Sequence, residues 1–390
     1  MIRTGFKLTK AGEIPIEWNT LPLSELFYFG NGYTPSKADS AFWTNGTIPW
    51  FRVEDIRING HVLNDAIQKI TPLAVKGELF PKNSFIISTS ATIGEYAYVT
   101  VPYLANQRFV CLIKKSAANQ LVDDGYFLCL CESLGQWCRD NCDQGSSFPS
   151  VNMQSFRNHH IPLPPLVEQK KIAKALSDVN VLISDLDALI AKKRDIKQGA
   201  MQQLLTGKQR LNGFYDKWEN CAIGDLVDIM KGQSLQSKDF IMGSVPVIAG
   251  GQSYAGYHNR CNHDKTCVTI SASGAYAGYV WLHEYPIFAS DCSVIEGNEN
   301  VDIYFLYNIL KMKQEIIYQS QTGGAQPHIH PRDIAPIRID IPSIGEQKAI
   351  ASILIDMDKE IVALQAKKIK YEAIKQGMMQ ELLTGKIRLV

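Results

Sequence analysis

The stretch Gln198-Gly-Ala-Met-Gln-Gln-Leu-Leu-Thr-Gly-Lys-Gln-Arg-Leu211 returns as Gln376-Gly-Met-Met-Gln-Glu-Leu-Leu-Thr-Gly-Lys-Ile-Arg-Leu389, 178 residues later. At the same offset Glu168-Gln169 recurs as Glu346-Gln347, and Tyr126-Phe127-Leu128 as Tyr304-Phe305-Leu306. The segment from about Tyr126 to Leu211 therefore aligns without a gap on Tyr304 to Leu389. Upstream the match loosens. Trp18 with Leu23 to Leu26 answers Trp218 with Ile223 to Leu226, and Ile87-Ser-Thr-Ser-Ala-Thr-Ile-Gly answers Ile270-Ser-Ala-Ser-Gly-Ala-Tyr-Ala-Gly with one gap. The chain reads as variable unit, helix, variable unit, helix. Two copies are too few for a solenoid, so a pseudo-two-fold arrangement of duplicated halves is expected.

The repeated segments carry a helical seam. Ile172, Leu176, Val179, Ile183, Leu186 and Ile190 are spaced by four and three, and Ile350, Leu354, Met357, Ile361 and Leu364 repeat the pattern. A 3.5-residue period is that of a left-handed coiled coil. The expected pairing sets Leu176, Ile183 and Leu186 against Leu354, Ile361 and Leu364, with the two strands of the coil running either way. Pro164-Pro165 and Pro342 precede the helices, Ser343 with Glu346 offers a capping box, and Gly207 and Gly385 stand where helices stop. From Glu168 to Thr206 a helix would be about 58 Å long. Gly199 and Gly377 fall inside the pattern, which suggests a kink or a close backbone approach.

The variable units read as α+β. Ser84-Phe-Ile-Ile-Ser-Thr-Ser and Thr266-Cys-Val-Thr-Ile-Ser-Ala are strand-like, Gly30-Asn-Gly, Asn45-Gly, Asn59-Gly and Gly250-Gly251 mark turns, and one short helix is expected near Tyr126 to Cys142 and near Tyr304 to Gln319.

Composition bounds the function. The 390 residues are 45% hydrophobic and 20% charged, the range of packed globular domains. No apolar run approaches the roughly 18 residues of a membrane span. The start, Met1-Ile-Arg-Thr-Gly-Phe-Lys, lacks the apolar core of a signal peptide. Nine scattered cysteines suggest reduced thiols and the cytoplasm. Residues 1–165 hold 14 basic and 14 acidic side chains, 166–211 hold 9 and 5, 212–341 hold 9 and 14, and 342–390 hold 8 and 6. A polybasic nucleic-acid binder is thereby excluded, whereas a reader of base edges with local basic groups is not.

Catalytic signatures are missing. Thr206-Gly207-Lys208 has neither the upstream glycine nor the following hydroxyl of a phosphate loop, and no Gly-x-Gly-x-x-Gly follows a strand. Cys129, Cys131, Cys138 and Cys142 are spaced unlike zinc ligands and read as thiols buried on a helix, and Cys261-x-His263-x-x-x-Cys267 lacks a fourth ligand of suitable spacing. What remains is a set of polar loops able to enter a groove: 31–37, 50–52, 88–90, 106–108 and 145–148 in the first unit, and 233–238, 252–254, 271–273 and 326–328 in the second. If the units bind DNA, the candidate contacting residues on these loops are Tyr33, Thr34, Lys37, Arg52, Ser88, Ser90, Gln107, Arg108, Gln236, Lys238, Tyr254, Ser271 and Ser273. Arg52 has a competing role, because Glu54 and Asp55 are near enough in sequence to pair with it.

The duplicated Pro-x-x-x-Glu-Gln start, the ending Ile374-Lys-Gln-Gly-Met-Met-Gln-x-Leu-Leu-Thr-Gly-Lys-x-Arg-Leu389, and the alternation with variable units resemble the specificity (S) subunit of Type I restriction–modification systems. Copy one departs from that ending only at Ala200, where the family has Met. Asn31-Gly-Tyr-Thr-Pro-Ser, Gly46-Thr-Ile-Pro-Trp50 and Ala105-Asn-Gln107 look like the family's target-recognition domains. The resemblance implies target-recognition domains at 1–163 and 212–341, and conserved helical regions at 164–211 and 342–390 that pair as an intramolecular coiled coil. It implies a non-catalytic chain whose two units each read one half of a bipartite, asymmetric site in double-stranded DNA. Two methyltransferase (M) subunits would bind the helices, and restriction/translocase (R) subunits would join them. S-adenosylmethionine, ATP and Mg2+ would belong to those partners, with no membrane involved. The rival readings are a stand-alone methyltransferase or nuclease, against which the missing motifs count, and a coiled-coil scaffold or adhesion protein that does not bind DNA.

Overall fold

The computed structural model describes residues 2–143, 149–323 and 326–390, so the loop 145–148 lies outside the described residues. The chain forms two compact units, one of residues 1–185 with 368–390 and the other of residues 186–367.

The first unit is built on a five-stranded sheet in the order Phe27–Asn31, Phe109–Lys114, Ser84–Ser88, Tyr96–Val99, Val62–Leu63. All its pairings are antiparallel except the last, which is parallel. Ser84–Ser88 is buried along its whole length. The reason is the period-2 alternation of a strand. Phe85 and Ile87 point into a core shared with Tyr126, Phe127, Ile172 and Leu176. Ile86 points the other way, into a core with Phe51, Tyr103 and Cys111. A small sheet, Leu104–Ala105, Ile48–Phe51 and Lys69–Ile70, borders that second core.

The second unit repeats the plan. Its four-stranded sheet runs Ile229–Lys231, Cys292–Glu296, Cys267–Ser271, Val280–His283. Val268 and Ile270 face a core with Phe305, Leu306, Ile350 and Leu354, while Cys267 faces Ile248 and Ala289. The expected helix near Tyr304 to Gln319 is two helices, Ile303–Met312 and Gln314–Gln319. The break at Lys313 lets the Gln314 amide accept from the Val280 N–H and donate to the Gly278 carbonyl. In the first unit the helix is continuous from Asp124 to Asp140. Its Cys131 and Cys138 are buried in the apolar core, and burial pushes both thiols up.

Two helices of 39 residues, Leu166–Leu204 and Ile344–Leu382, each contribute to both units. Where they pair they are antiparallel. Within the second unit Lys193 reaches Glu360 at 2.7 Å and Lys197 reaches Asp358 at 2.6 Å, rising numbers on one helix meeting falling numbers on the other. The expected partnership of Leu176 with Leu354 is therefore corrected. Leu176 packs in the core that holds Leu382 and Leu383, and Leu354 in the core that holds Leu204 and Leu205. A repeated seam satisfies either direction, and the apolar residues that restore each helix's C-terminal face become the partners of the other's N-terminal face. Gly199 and Gly377 have open space where a Cβ would stand, so among the described residues the expected close approach is not found.

The duplicated Glu-Gln now has a structural meaning. The Gln169 amide donates to the carbonyls of Leu121 and Pro164 and accepts from the Asp123 N–H at 2.8 Å. Gln347 does the same for Asn300, Pro342 and Asp302. Each glutamine thus ties the start of a long helix to the N-cap of the short helix before it, whose Asp123 or Asp302 side chain caps Tyr126 or Phe305. Glu168 is 2% exposed and takes the Arg388 guanidinium at 2.7 and 2.9 Å and the Trp18 indole N–H at 3.1 Å. Glu346 takes Arg210 at 2.7 Å through Nε and Nη2, and Trp218 at 3.1 Å. Those partners occupy the carboxylate that the sequence assigned to a capping box with Ser343. Burial alone would push the Glu168 carboxyl up, but the hydrogen bonds from Arg388 and Trp18 and the charge of Arg388 outweigh it and hold it below its ordinary value.

Candidate nucleic-acid interface

Gly32 positions the first unit's loops. A Cβ there would lie 2.1 Å from the Asn106 carbonyl, so only glycine lets the two backbones approach. The Tyr33 N–H then donates to Ala105 at 2.8 Å, and the Asn106 N–H to Phe51 at 3.0 Å. These contacts bring three sequence-distant loops around one cavity of about 230 Å³, lined by Thr34, Lys37, Trp50, Arg52, Glu54, Asn106, Gln107 and Arg108. Five of the candidate residues meet here: Thr34, Lys37, Arg52, Gln107 and Arg108. Three basic side chains against one acid give the cavity a local excess of positive charge, within a stretch, residues 1–165, that is neutral overall.

Arg52 is held rather than free. Its backbone N–H donates to Asp55 at 2.7 Å, its guanidinium carbon lies 5.8 Å from the Trp50 ring, and Glu54 stands 3.9 Å from Nε. Nε is buried and has no hydrogen-bond partner among the described residues. Asp55 is fully buried and accepts hydrogen bonds from the backbone amides of Arg52 and Ile67. Thr34 donates to Gln107, which fixes the cavity rim. Lys37, Gln107 and Arg108 are exposed.

The other first-unit candidates serve local structure. The Tyr33 hydroxyl donates to Ala74 at 3.1 Å and accepts from the Lys76 N–H at 2.6 Å. Ser88 is buried, donating to Thr92 and accepting from the Glu95 N–H at 3.1 Å. Ser90 is half-buried and bridges to Ser150. Polar loop residues commonly satisfy nearby backbone first, and sequence spacing alone does not reveal which ones do. Glu54, Trp50 and Asn106 are cavity residues that the candidate set missed, although each lies within two residues of a member of it.

The second unit uses the same backbone frame. The Gly232 N–H donates to Cys292 at 2.8 Å as Gly32 does to Phe109 at 3.2 Å, and Gln233 donates to Ala289 at 2.9 Å as Tyr33 does to Ala105. Ser290 donates to Ile248 at 2.7 Å as Asn106 does to Phe51, and Ala272 to Asp291 at 3.1 Å as Thr89 to Arg108 at 3.0 Å. Gly232 would also clash as Gly32 does, at 2.2 Å from the Ser290 carbonyl. Ser271 is buried and donates toward Gly251 at 3.3 Å, and Ser273 donates to Asp291. Gln236 and Lys238 are exposed on a loop whose Leu235 N–H is held by Ser290 at 3.0 Å. Tyr254 faces a different cavity, with Tyr257 and Tyr285, and stacks on Trp281 at 5.4 Å. His263 is 3.0 Å from Glu296.

The comparisons with known proteins agree with this duplicated plan. The family model for the Type I restriction modification DNA specificity domain matches twice, at residues 15–194 and 215–373. The Type I restriction enzyme EcoprrI specificity subunit of Escherichia coli is 35% identical over 361 residues, covering 88% of each chain. The putative MjaX specificity subunit of Methanocaldococcus jannaschii is 27% identical, covering 98% of this chain and 97% of that one. In fold, the S subunit of M. genitalium aligns with a TM-score of 0.63 at 16% identity, covering 94% of this chain and 96% of that one. A second chain, solved in work on complex assembly and conformational transition of the type I R-M system, aligns with a TM-score of 0.59 at 15% identity, covering 96% and 99%. With both copies of its repeat matched and the whole fold shared, this chain belongs to the Type I restriction–modification DNA specificity family.

Proposed function

We infer that the two units each read one half of a bipartite, asymmetric site in double-stranded DNA. The two long helices would hold the half-sites at fixed spacing and dock two methyltransferase subunits. Restriction/translocase subunits would then complete the assembly, and S-adenosylmethionine, ATP and Mg2+ would be theirs. The chain itself would be non-catalytic.

One observation carries the reading: a single backbone frame, built twice, presents different side chains at its loops. A scaffold without sequence selectivity has no need of that pattern, whereas two readers of unlike half-sites require it. The first unit's cavity supplies Arg52 and Arg108, side chains suited to guanine O6 and N7, and Lys37, suited to phosphate. The test is binding by the complex reconstituted with its methyltransferase subunits, using duplexes in which either half-site is scrambled. Scrambling either half should abolish specific binding. Equal binding to all duplexes would refute the reading.

A further inference from the structure

Arg108 and Asp291 occupy the same place in the two units. Each sits directly before a sheet strand that starts at Phe109 or Cys292, and each carbonyl accepts from the neighbouring loop, Thr89 or Ala272, at 3.0 or 3.1 Å. Around Arg108 the first unit adds Arg52, while the equivalent of Arg52, the residue after Ile248, is Ala249. One position thus carries a guanidinium in one unit and a carboxylate in the other.

The Asp291 carboxylate is open. It is exposed, its hydrogen-bond donor is the Ser273 hydroxyl, and among the described residues no lysine or arginine pairs with it. Gly250, whose added Cβ would stand 3.3 Å from Asp291 Oδ2, leaves that side of the carboxylate uncovered. A carboxylate on a surface that meets DNA is repelled by phosphate, so its favourable partner must be a donor on a base edge. In the major groove the donors are exocyclic amines, cytosine N4 or adenine N6.

We propose that Asp291 is a specificity-determining residue of the second unit, accepting a hydrogen bond from the exocyclic amine of one base. At the corresponding position the first unit, through Arg108, reads an acceptor edge. The two half-sites then differ in hydrogen-bonding polarity at equivalent positions, which is how one frame discriminates two unlike sequences. This rests on the DNA-reading function above.

The experiment uses the complex with methyltransferase subunits and duplexes varied one base at a time. For Asp291→Asn, an amide that donates as well as accepts, discrimination at one position of the second half-site should fall roughly tenfold or more. Discrimination across the first half-site should be unchanged, which also reports an intact assembly. In the unsubstituted complex, replacing one base at a time by its analogue lacking the exocyclic amine should weaken binding at a single amine-bearing position of the second half-site, and that measurement needs no variant. A uniform gain in affinity for all sequences with Asp291→Asn, unchanged selectivity, or no amine-sensitive position in the second half-site would overturn the proposal. If the unsubstituted complex shows no sequence preference at all, the DNA-reading function fails instead.

Discussion

Replacing Arg388 with Ala should destabilise the first unit through the carboxylate it leaves behind. Glu168 is 2% exposed and would keep the Trp18 indole N–H at 3.1 Å and the Leu389 N–H at 3.2 Å as donors, with no cation. Removing one partner of a buried pair costs about 3–5 kcal/mol. The Arg388 side chain is 23% exposed, so solvent screens part of the pair and the lower figure, about 3 kcal/mol, applies. At roughly 2–4 °C per kcal/mol for a body of about 150–250 residues, the melting temperature should drop by about 6–12 °C. The loss should depend on pH. In the unsubstituted protein the Glu168 pKa is held below its ordinary value of 4.5, so the pair's stabilisation is present above that value and lost as pH falls through the lowered one. Without Arg388, burial dominates and the carboxyl protonates more readily. The gap between variant and parent should therefore be widest near neutrality and narrow as pH falls below 4.5. Differential scanning calorimetry across pH reads both effects. A shift under about 2 °C at neutral pH, or a gap that does not narrow in acid, would refute the reasoning.

Four further outcomes follow from the same geometry. Leu186→Asp places a charge on a side chain now 5% exposed and should cost about 3 kcal/mol or more, seen as a lowered urea midpoint. Gly199→Ala and Gly377→Ala meet open space in helix interiors and should each stabilise by about 0.4–1 kcal/mol in the same titration. Arg52→Ala should relax one position of the first half-site. Lys37→Ala and Lys238→Ala should instead weaken all sequences alike and reduce the salt slope by about 1 each, read by binding at several salt concentrations.

The helices and the duplication were legible because they rest on local pattern: an apolar seam, flanking prolines, terminal glycines and a near-identical ending. The direction of pairing was not, since the seam of Ile172 to Ile190 fits a parallel or an antiparallel partner equally. The repeated Glu-Gln was visible as a signature. Its chemistry was hidden, because Glu168 meets Arg388 and Trp18 across more than a hundred residues of chain. In the recognition units, Gly- and Pro-marked loops pointed to Thr34, Lys37, Arg52, Gln107 and Arg108, and these do meet at one cavity. Tyr33 and Ser88 carried the same local signal, yet their hydroxyls close nearby turns. The equivalence of Arg108 with Asp291 lies in backbone hydrogen bonds, which residue identity does not record.

The central claim, that the two variable units independently read the halves of one DNA site, is tested most directly by exchange. Residues 212–341 would be replaced by those of a related subunit, and host DNA sequenced for methylated motifs with the parent gene, the chimera and neither. The account predicts a motif of two unlike half-sites that is absent without the gene, with one half altered and the other retained in the chimera. A change in both halves, or no gene-dependent motif at all, would contradict it.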